Sequence, residues 1–345
     1  MVGSAFFLAV SATPLVKRMA VRLGVVDRPA ARKMHTRPTP LMGGVAIYLA
    51  FMCSLALFGD RSYVRETVGI FLGASLCSLM GLWDDRKALP ASLKLVVQAL
   101  AAGLMIASGV QVQLPVPAVA NIGLTLLWMV GITNAMNLLD NMDGLAAGVG
   151  VTASAFFLLL AAMNRQYLVG ALAASMLGAC IGFIVYNVNP ASIFMGDSGA
   201  LFIGFVLAAV GIKLRFPGNV NFVTWMVPVM VLGLPIFDTT LVTVSRLRRH
   251  LNPLTTPGKD HLSHRLVQLG YTPREAVLTI HLICCALGVM GIYVMQATVA
   301  EGYALGGLVT AMAAGAIWWL ERTAPRGLET PPPDATVGSH APTSS

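Results

Sequence analysis

Acidic side chains stand at the ends of the long apolar segments of this 345-residue chain. Asp84 and Asp85 directly follow the uncharged stretch 67–83, and Asp197 follows the uncharged stretch 166–196. Carboxylates that gather near basic residues are suited to hold a divalent cation and to work on phosphate groups. These residues therefore indicate a site for a metal and phosphates.

Two of these acidic positions have a structural alternative. In the Asp84–Asp85 pair, one group could hold a metal or remove a proton while the other takes a hydrogen bond. The same pair could instead be a solvated helix end that Arg86 and Lys87 neutralise. Asp197 precedes an apolar span, so it is either a metal ligand at a helix start or, like Ser198, the N-cap of that helix.

Polar residues recur every three positions where the uncharged stretch 95–139 ends, at Asn134, Asn137, Asp140 and Asp143. If the helix continues, they form a stripe along one face. Four such groups facing lipid would be expensive, so we expect them to face a cavity. A helix cap accounts for one or two of them, and we favour a ligand-binding stripe.

Two further motifs lie towards the C-terminus. Asp238 follows Pro235 within an apolar span, and an acid at membrane depth is a candidate functional residue, with a buried acid bonded to its neighbours as the alternative. His261 and His264 are three residues apart, and Arg265 follows them. Without a third histidine or a cysteine nearby, contact with a phosphate or nucleotide fits this loop better than structural zinc.

The elements that carry these residues are membrane helices. The chain is 56 % hydrophobic and 11 % charged, with a mean hydropathy of +0.75, whereas soluble domains carry roughly a quarter charged residues. We predict an all-α polytopic membrane protein with 11 (10–11) transmembrane helices, one of them broken or kinked near Pro235. The predicted spans are 2–19, 42–59, 66–83, 93–109, 119–136, 147–163, 167–186, 198–214, 222–244, 276–297 and 302–320.

The distribution of basic residues predicts the orientation. With the N-terminus outside and the C-terminus in the cytoplasm, all but five of the 23 basic residues are cytoplasmic, as the positive-inside rule requires. The five exceptions are Arg61, Arg65, Arg165, Lys213 and Arg215. Most of the acids also fall on the cytoplasmic side, which that rule does not explain, so the site should lie there.

The same reading fixes the domain organisation. Residues 1–322 form a single transmembrane catalytic domain with cytoplasmic loops at 20–41, 84–92, 137–146, 187–197 and 245–275. Residues 323–345, rich in Pro, Ser and Thr, should be a disordered cytoplasmic tail. Nothing in this composition suits a secreted enzyme, a disordered scaffold or a nucleic-acid binder.

Taken in order, these motifs resemble those of the polyprenyl-phosphate N-acetylhexosamine-1-phosphate transferases, which form the glycosyltransferase 4 superfamily of MraY, WecA and TagO. The likeness runs from about Asp27 to Gly270. It is carried by Asp27-Arg-Pro29 with Arg32-Lys33-Met-His35, Pro38-Thr-Pro40 with Gly43-Gly44, Asp84-Asp85 with Lys94, Asp143-Gly144-Leu145, Phe194-Met-Gly-Asp197-Ser-Gly199 and the histidine loop.

The resemblance implies transfer of a sugar 1-phosphate, here N-acetylglucosamine 1-phosphate, from a UDP-sugar to an undecaprenyl or decaprenyl phosphate. UMP would be released and Mg²⁺ required, with Mn²⁺ as the alternative ion. By the same resemblance Asp197 is similar to the metal ligand, and Asp84, with Asp85 beside it, to the catalytic residue that deprotonates or positions the lipid phosphate. The residues expected to bind substrate are Lys33, Lys94, Asn137, Asp140, Asp143, Asn187, His261, His264 and Arg265.

Two positions depart from the family pattern. Asn141 stands where the family often has a glycine, and Asn most readily replaces Gly at a positive φ. Ser263 stands where the family commonly has a histidine. The second departure favours the WecA and TagO branch over the muramoyl-pentapeptide branch, which is retained as an alternative.

The expected setting is a bacterial inner membrane, with the active site on its cytoplasmic face. The partners would be a UDP-sugar, a polyprenyl phosphate and the lipid bilayer, without nucleic acid, and the sequence leaves a homodimer open. A transporter of nucleotide sugars or lipid-linked intermediates is the rival, but it would need polar residues near the midplane of several spans.

Overall fold

The computed structural model describes residues 1–28, 38–58, 61–253, 256 and 258–323. Lys33 and the predicted tail beyond Thr323 lie outside the described residues. The α-helices are α1 (Val2–Arg22), α2 (Gly43–Phe58), α3 (Val64–Asp84), α4 (Ala91–Ala107), α5 (Ala118–Leu139), α6 (Leu145–Met163), α7 (Tyr167–Asn187), α8 (Asp197–Lys213), α9 (Asn221–Thr224), α10 (Met226–Val231), α11 (Gly233–Arg248), α12 (Leu262–Gln268), α13 (Pro273–Gln296) and α14 (Val299–Thr323).

The first eight helices alternate in direction, so every second helix end lies at the same end of the bundle. At one end, the C-terminus of α3 meets the N-termini of α4 and α8 through Asp84, Lys94 and Asp197. At the other end, the Nζ of Lys213 at the close of α8 is 3.8 Å from Glu66 Oε1 in α3. This alternation brings loops that are distant in sequence into one polar layer.

Helix α8 forms the centre of the bundle, and its residues from Ser198 to Ile212 are all buried. It packs against α3, α5 and α2, while α7 packs against α1, α6 and α2. Small residues permit this close packing, as is usual where helices associate in a membrane. Gly178 and Gly182 of α7, for example, face the backbone of α1 so closely that a Cβ at either position would overlap it.

Seven helices are long and apolar enough to cross a membrane, and the bent pair formed by Asn221–Val231 and Gly233–Arg248 brings the number to eight within the described residues. Two apolar helices, Gly43–Phe58 and Ala91–Ala107, are shorter. The polytopic helical class is therefore confirmed. The count of eleven spans and their orientation remain predictions.

The predicted break near Pro235 is confirmed. The two halves of the bent pair meet at 76°, with Leu232 between α10 and α11. Pro235 lies in the first turn of α11, where its missing N–H needs no partner, and it could not continue the preceding helix without losing a hydrogen bond.

Two short strands depart from the all-helical expectation. Val26–Asp27 and Thr39–Pro40 pair antiparallel, and the next residue, Leu41, forms a parallel bridge with Phe194. The amides of Gly43 and Gly44 then donate to the carbonyls of Phe194 and Met195 at 2.8 Å. These contacts fasten the 187–197 loop to the N-terminus of α2, and they are too short for sequence periodicity to reveal.

Candidate active site

The Asp84 carboxylate is fixed at the end of α3. Its Oδ1 accepts a hydrogen bond from the Leu89 amide at 2.7 Å, and its Oδ2 forms an ion pair with Lys94 Nζ. The same ammonium is 3.5 Å from Asp197 Oδ2. Asp84 is 7 % exposed, whereas Asp197 is 32 % exposed, so Lys94 links an inner carboxylate to one that solvent and substrate can reach.

Asp85 has a different partner from its neighbour. Its two oxygens accept hydrogen bonds from the backbone amides of Asp197 at 2.8 Å and of Ser198 at 3.2 Å. Asp85 thus does across the fold what an N-cap residue does within a helix. The sequence alternative in which Asp197 or Ser198 caps α8 is wrong, because the N-cap position is Gly196 and no side chain of the helix itself caps it.

Gly196 makes this arrangement possible. Its φ of +75° lies in the region that favours glycine, and a Cβ there would be 2.6 Å from Asp85 Oδ2. Because Asp85 satisfies the amides that begin α8, the Asp197 side chain is free to point away from them. Asn137 Nδ2 then donates to Asp197 Oδ1 at 2.9 Å, so Asp197 is held between an amide and an ammonium.

The site carries more negative charge than it neutralises. Burial, followed by the charges of Asp197 and Asp140, raises the pKa of Asp85 to about 8. Burial, followed by the charges of Asp197 and Asp143, raises the pKa of Asp140 to about 7. Carboxylates disfavour ionisation together unless a cation joins them, and Lys94 supplies only one positive charge.

The predicted stripe is only partly realised, because α5 ends at Leu139 and Asp140 is its C-cap. Asn134 forms an amide pair with Gln98 of α4, in which Gln98 Nε2 donates to Asn134 Oδ1 at 3.2 Å. Asn137 reaches Asp197, as described above. The first residue of the stripe therefore joins two helices, and the rest turn towards the acidic cluster and the loop that follows.

Asp143 and Asn187 hold two loops together. Asp143 Oδ2 accepts hydrogen bonds from Asn189 Nδ2 at 3.0 Å and from the Ala191 amide at 2.9 Å. Asn187 is buried, accepts from the Gly144 amide at 3.0 Å and donates to the Ile193 carbonyl at 3.0 Å. Both residues were expected to contact the nucleotide, and the structure gives them contacts that position the 187–197 loop.

The histidine loop is anchored by Asp238, the acid within the bent span. Asp238 Oδ2 is 2.8 Å from His261 Nδ1, and Asp238 Oδ1 accepts from the Leu262 amide at 2.7 Å. The buried-acid alternative for Asp238 thus has a specific partner, which sequence reasoning did not find. His264 lies beside His261 with ring centroids 6.0 Å apart, and burial lowers the pKa of His264 to about 4.

Arg265 does not join the acidic cluster. It is buried, and it donates to the Asp260 and Leu320 carbonyls, to Ser245 Oγ and to Glu321 Oε1. These bonds occupy four of its five N–H donors. Its expected contact with a phosphate is therefore replaced by a tie between α11, the histidine loop and α14.

Comparison with known proteins agrees with this arrangement. The sequence model of "Glycosyl transferase family 4" matches residues 67–215, which run from α3 to just beyond α8 and contain the acidic cluster. A Bacillus subtilis protein named "Probable undecaprenyl-phosphate N-acetylglucosaminyl 1-phosphate transferase" is 35 % identical over 83 % of this chain and 82 % of its own length. The chain belongs to glycosyl transferase family 4.

Two other relatives bracket this member of glycosyl transferase family 4. The "Decaprenyl-phosphate N-acetylglucosaminephosphotransferase" of Mycolicibacterium smegmatis is 35 % identical over 79 % of this chain and 75 % of its own length. The "Phospho-N-acetylmuramoyl-pentapeptide-transferase" of Bacillus cytotoxicus is 28 % identical over 85 % of this chain and 96 % of its own length. The higher identities thus fall to proteins named for N-acetylglucosamine.

The two departures from the family pattern lie in contact with each other. Asn141 does not take a positive φ, as its replacement of a glycine suggested, because the positive φ of this turn belongs to Gly144 at +75°. Instead the Asn141 side chain accepts a hydrogen bond from the hydroxyl of Ser263. The turn after α5 and the histidine loop are therefore joined directly.

The acidic cluster fits a magnesium ion in charge and in donor type. Among the side chains that the structure describes, no three His, Cys, Asp or Glu groups form a ready-made metal cage. Mg²⁺ commonly takes only one or two protein carboxylates and completes its shell with water and substrate phosphates. The raised pKa values of Asp85 and Asp140 report the negative charge that such an ion would offset.

Proposed function

We propose that this protein transfers N-acetylglucosamine 1-phosphate from UDP-N-acetylglucosamine to a polyprenyl phosphate and releases UMP. An oxygen of the lipid phosphate forms a bond to the β-phosphorus of the UDP-sugar. The bond from that phosphorus to the oxygen that bridges the two phosphates breaks, and UMP leaves with the electron pair. Relatives named for this transfer, similar over most of the chain, support the proposal.

The observation that carries the proposal is the placement of Lys94 between Asp84 and Asp197. Two anionic substrates must meet here, so the site needs positive charge as well as carboxylates. Lys94 supplies an ammonium whose three N–H groups can be shared between Asp84 and a phosphate. Asp84, the less exposed of the two acids, is placed to orient the lipid phosphate or accept its proton.

Asp197 is the proposed magnesium ligand, and Asp140 is close enough to add to the same field. Bound Mg²⁺ would neutralise charge on the diphosphate and on the leaving UMP. Asn137 fixes one oxygen of Asp197, and Asp85 fixes the backbone beneath it. These contacts set the direction of the carboxylate before substrate arrives, which is the condition for efficient positioning.

The proposal includes eleven spans, an outer N-terminus and a catalytic site on the cytoplasmic face of a bacterial inner membrane. Alternating helix directions and the excess of basic residues at the catalytic end support this topology. A homodimer belongs to the same proposal, and the exposed apolar face of α14 leaves room for a second copy. Single cysteines at Lys87 and Arg165, labelled from either side of sealed vesicles, test the orientation.

The deciding experiment measures UMP release by the purified full chain with Mg²⁺, undecaprenyl phosphate and a panel of UDP-sugars. We expect release with UDP-N-acetylglucosamine, loss with EDTA, and recovery with Mg²⁺ or Mn²⁺. Activity confined to the UDP-muramoyl-pentapeptide would move the protein to the other branch of its family. Uptake of intact UDP-sugar into vesicles without UMP formation would instead establish the transporter alternative.

A further inference from the structure

A groove lies between α1 and α7, apart from the acidic cluster. On α1 its lining residues are spaced i, i+3, i+4, i+7 and i+8, so they share one face of the helix. The neighbouring helix α7 contributes one aromatic side chain. The lining residues are Pro14, Lys17, Arg18, Val21, Arg22 and Tyr186.

Pro14 and Tyr186 shape this groove together. Pro14 has no N–H, so it leaves the carbonyl of Val10 without its usual helical donor. The Tyr186 hydroxyl donates to that carbonyl at 3.1 Å. The aromatic ring is thereby drawn against α1, and it walls a cavity of about 510 Å³.

The groove combines positive charge with apolar surface. Arg18 and Arg22 are exposed and Lys17 is half-buried. Across the described residues, none of these three side chains has an ion pair with a carboxylate. Val21, Pro14 and the Tyr186 ring supply the apolar part. A ligand that fits must therefore carry negative charge at one end and hydrocarbon at the other.

We propose that this groove binds an anionic phospholipid, with the headgroup phosphate on Lys17, Arg18 and Arg22 and an acyl chain along Pro14 and Val21. The cations occupy the last two turns of a membrane helix, the depth of lipid headgroups. Three unpaired positive charges disfavour a second copy of this face as the occupant, because the two faces would repel. The proposal does not depend on the reaction assigned to the acidic cluster.

The test is native mass spectrometry of the full chain with equimolar phosphatidylglycerol and phosphatidylcholine. We expect the wild-type protein to retain phosphatidylglycerol preferentially. Each neutralised cation should lower that preference about fivefold, so the triple variant Lys17→Gln, Arg18→Gln, Arg22→Gln should lose most of it. Unchanged preference in this variant would overturn the proposal.

A second pair of variants keeps the charges and guards against faulty insertion of the triple variant. Val21→Trp fills the groove and should displace phosphatidylglycerol, whereas Met19→Trp, exposed on α1 but outside the groove, should not. Equal binding by both variants would contradict the proposal. So would full displacement by millimolar inorganic phosphate, or selective binding of undecaprenyl phosphate in place of phosphatidylglycerol.

Discussion

Ser263 Oγ lies 2.6 Å from Asn141 Oδ1, so a hydroxyl of α12 donates to the turn that follows α5. The bond joins positions 122 residues apart. It connects the segment that contains Asp140 with the loop that presents His261 and His264. The two departures from the family pattern therefore act as one contact between substrate-binding segments.

We predict that Ser263→Ala and Asn141→Ala each raise KM for the UDP-sugar more than they lower kcat, because each loosens the loop without touching the acidic cluster. A hydrogen bond of this kind is worth about 1 kcal/mol. The double variant should therefore lose less than the sum of the two single losses. Strict additivity in a double-mutant cycle would show that the contact does not act in the reaction.

The adjacent acids Asp84 and Asp85 should separate by phenotype. Asp84→Asn and Asp197→Asn should each abolish UMP release with little loss of stability, since each removes one charge from a repelling cluster. Asp85→Asn leaves one of the two α8 amides without an acceptor, and it should lower the free energy of unfolding by about 1 kcal/mol. Activity and thermal unfolding of the three purified variants in detergent would measure this difference.

Near wild-type turnover in Asp84→Asn or Asp197→Asn would remove that residue from the proposed mechanism. If Asp85→Asn proved as stable as the wild type, its two bonds to α8 would not be important for the fold. Normal insertion of each variant, judged by yield and by the elution profile, is the control.

Sequence reasoning predicted the parts of this site that depend on hydropathy and alternation. Apolar stretches give the helices, and antiparallel helices bring the acids at their ends to one layer. It did not predict which group each acid contacts, because those partners are set by packing between distant segments. Asp85 bonds amides 112 residues away, and Asp238 holds His261 across 23 residues.

Asp238 should act as a positioning residue for the histidine loop. Asp238→Asn removes the charge that His261 Nδ1 contacts but keeps the size, and hydrogen bonds to a charged group are worth about 1.5–3 kcal/mol. We expect kcat/KM for the UDP-sugar to fall about tenfold or more. His261→Ala should cause a similar fall, and the double variant should be no worse than either.

A structural role alone would make Asp238→Asn less stable while leaving the kinetics of the folded fraction unchanged. Thermal unfolding measured beside kcat and KM distinguishes the two roles. A double variant whose losses simply add would contradict the coupling between Asp238 and His261.

His264 predicts a loss of stability in acid. Its pKa is lowered to about 4 by burial and by the nearby positive charges of His261 and Lys259, against the opposing charges of Asp238 and Asp260. An unfolded histidine titrates near about 6.5. Between these values the unfolded chain binds more protons, so stability is full above about pH 6.5 and falls as the pH drops towards 4.

For this one residue the loss between pH 7.5 and pH 5 is about 2 kcal/mol. We therefore expect His264→Gln to flatten the dependence of unfolding temperature on pH over this range, compared with the wild type in the same detergent. Identical pH dependence in both proteins would show that His264 does not stay neutral in the folded state.

Arg265 provides a direct comparison between the sequence interpretation and the structure. A phosphate contact predicts that Arg265→Lys raises KM while the fold stays stable. The observed bonds to Ser245, Glu321 and two backbone carbonyls predict the reverse, because lysine cannot reproduce the planar fork of donors. We expect a free energy of unfolding lower by about 2–3 kcal/mol, with KM for both substrates unchanged in the protein that remains folded. Thermal unfolding and steady-state kinetics on the same preparation decide between the two, and a raised KM in a fully stable variant would restore the phosphate role.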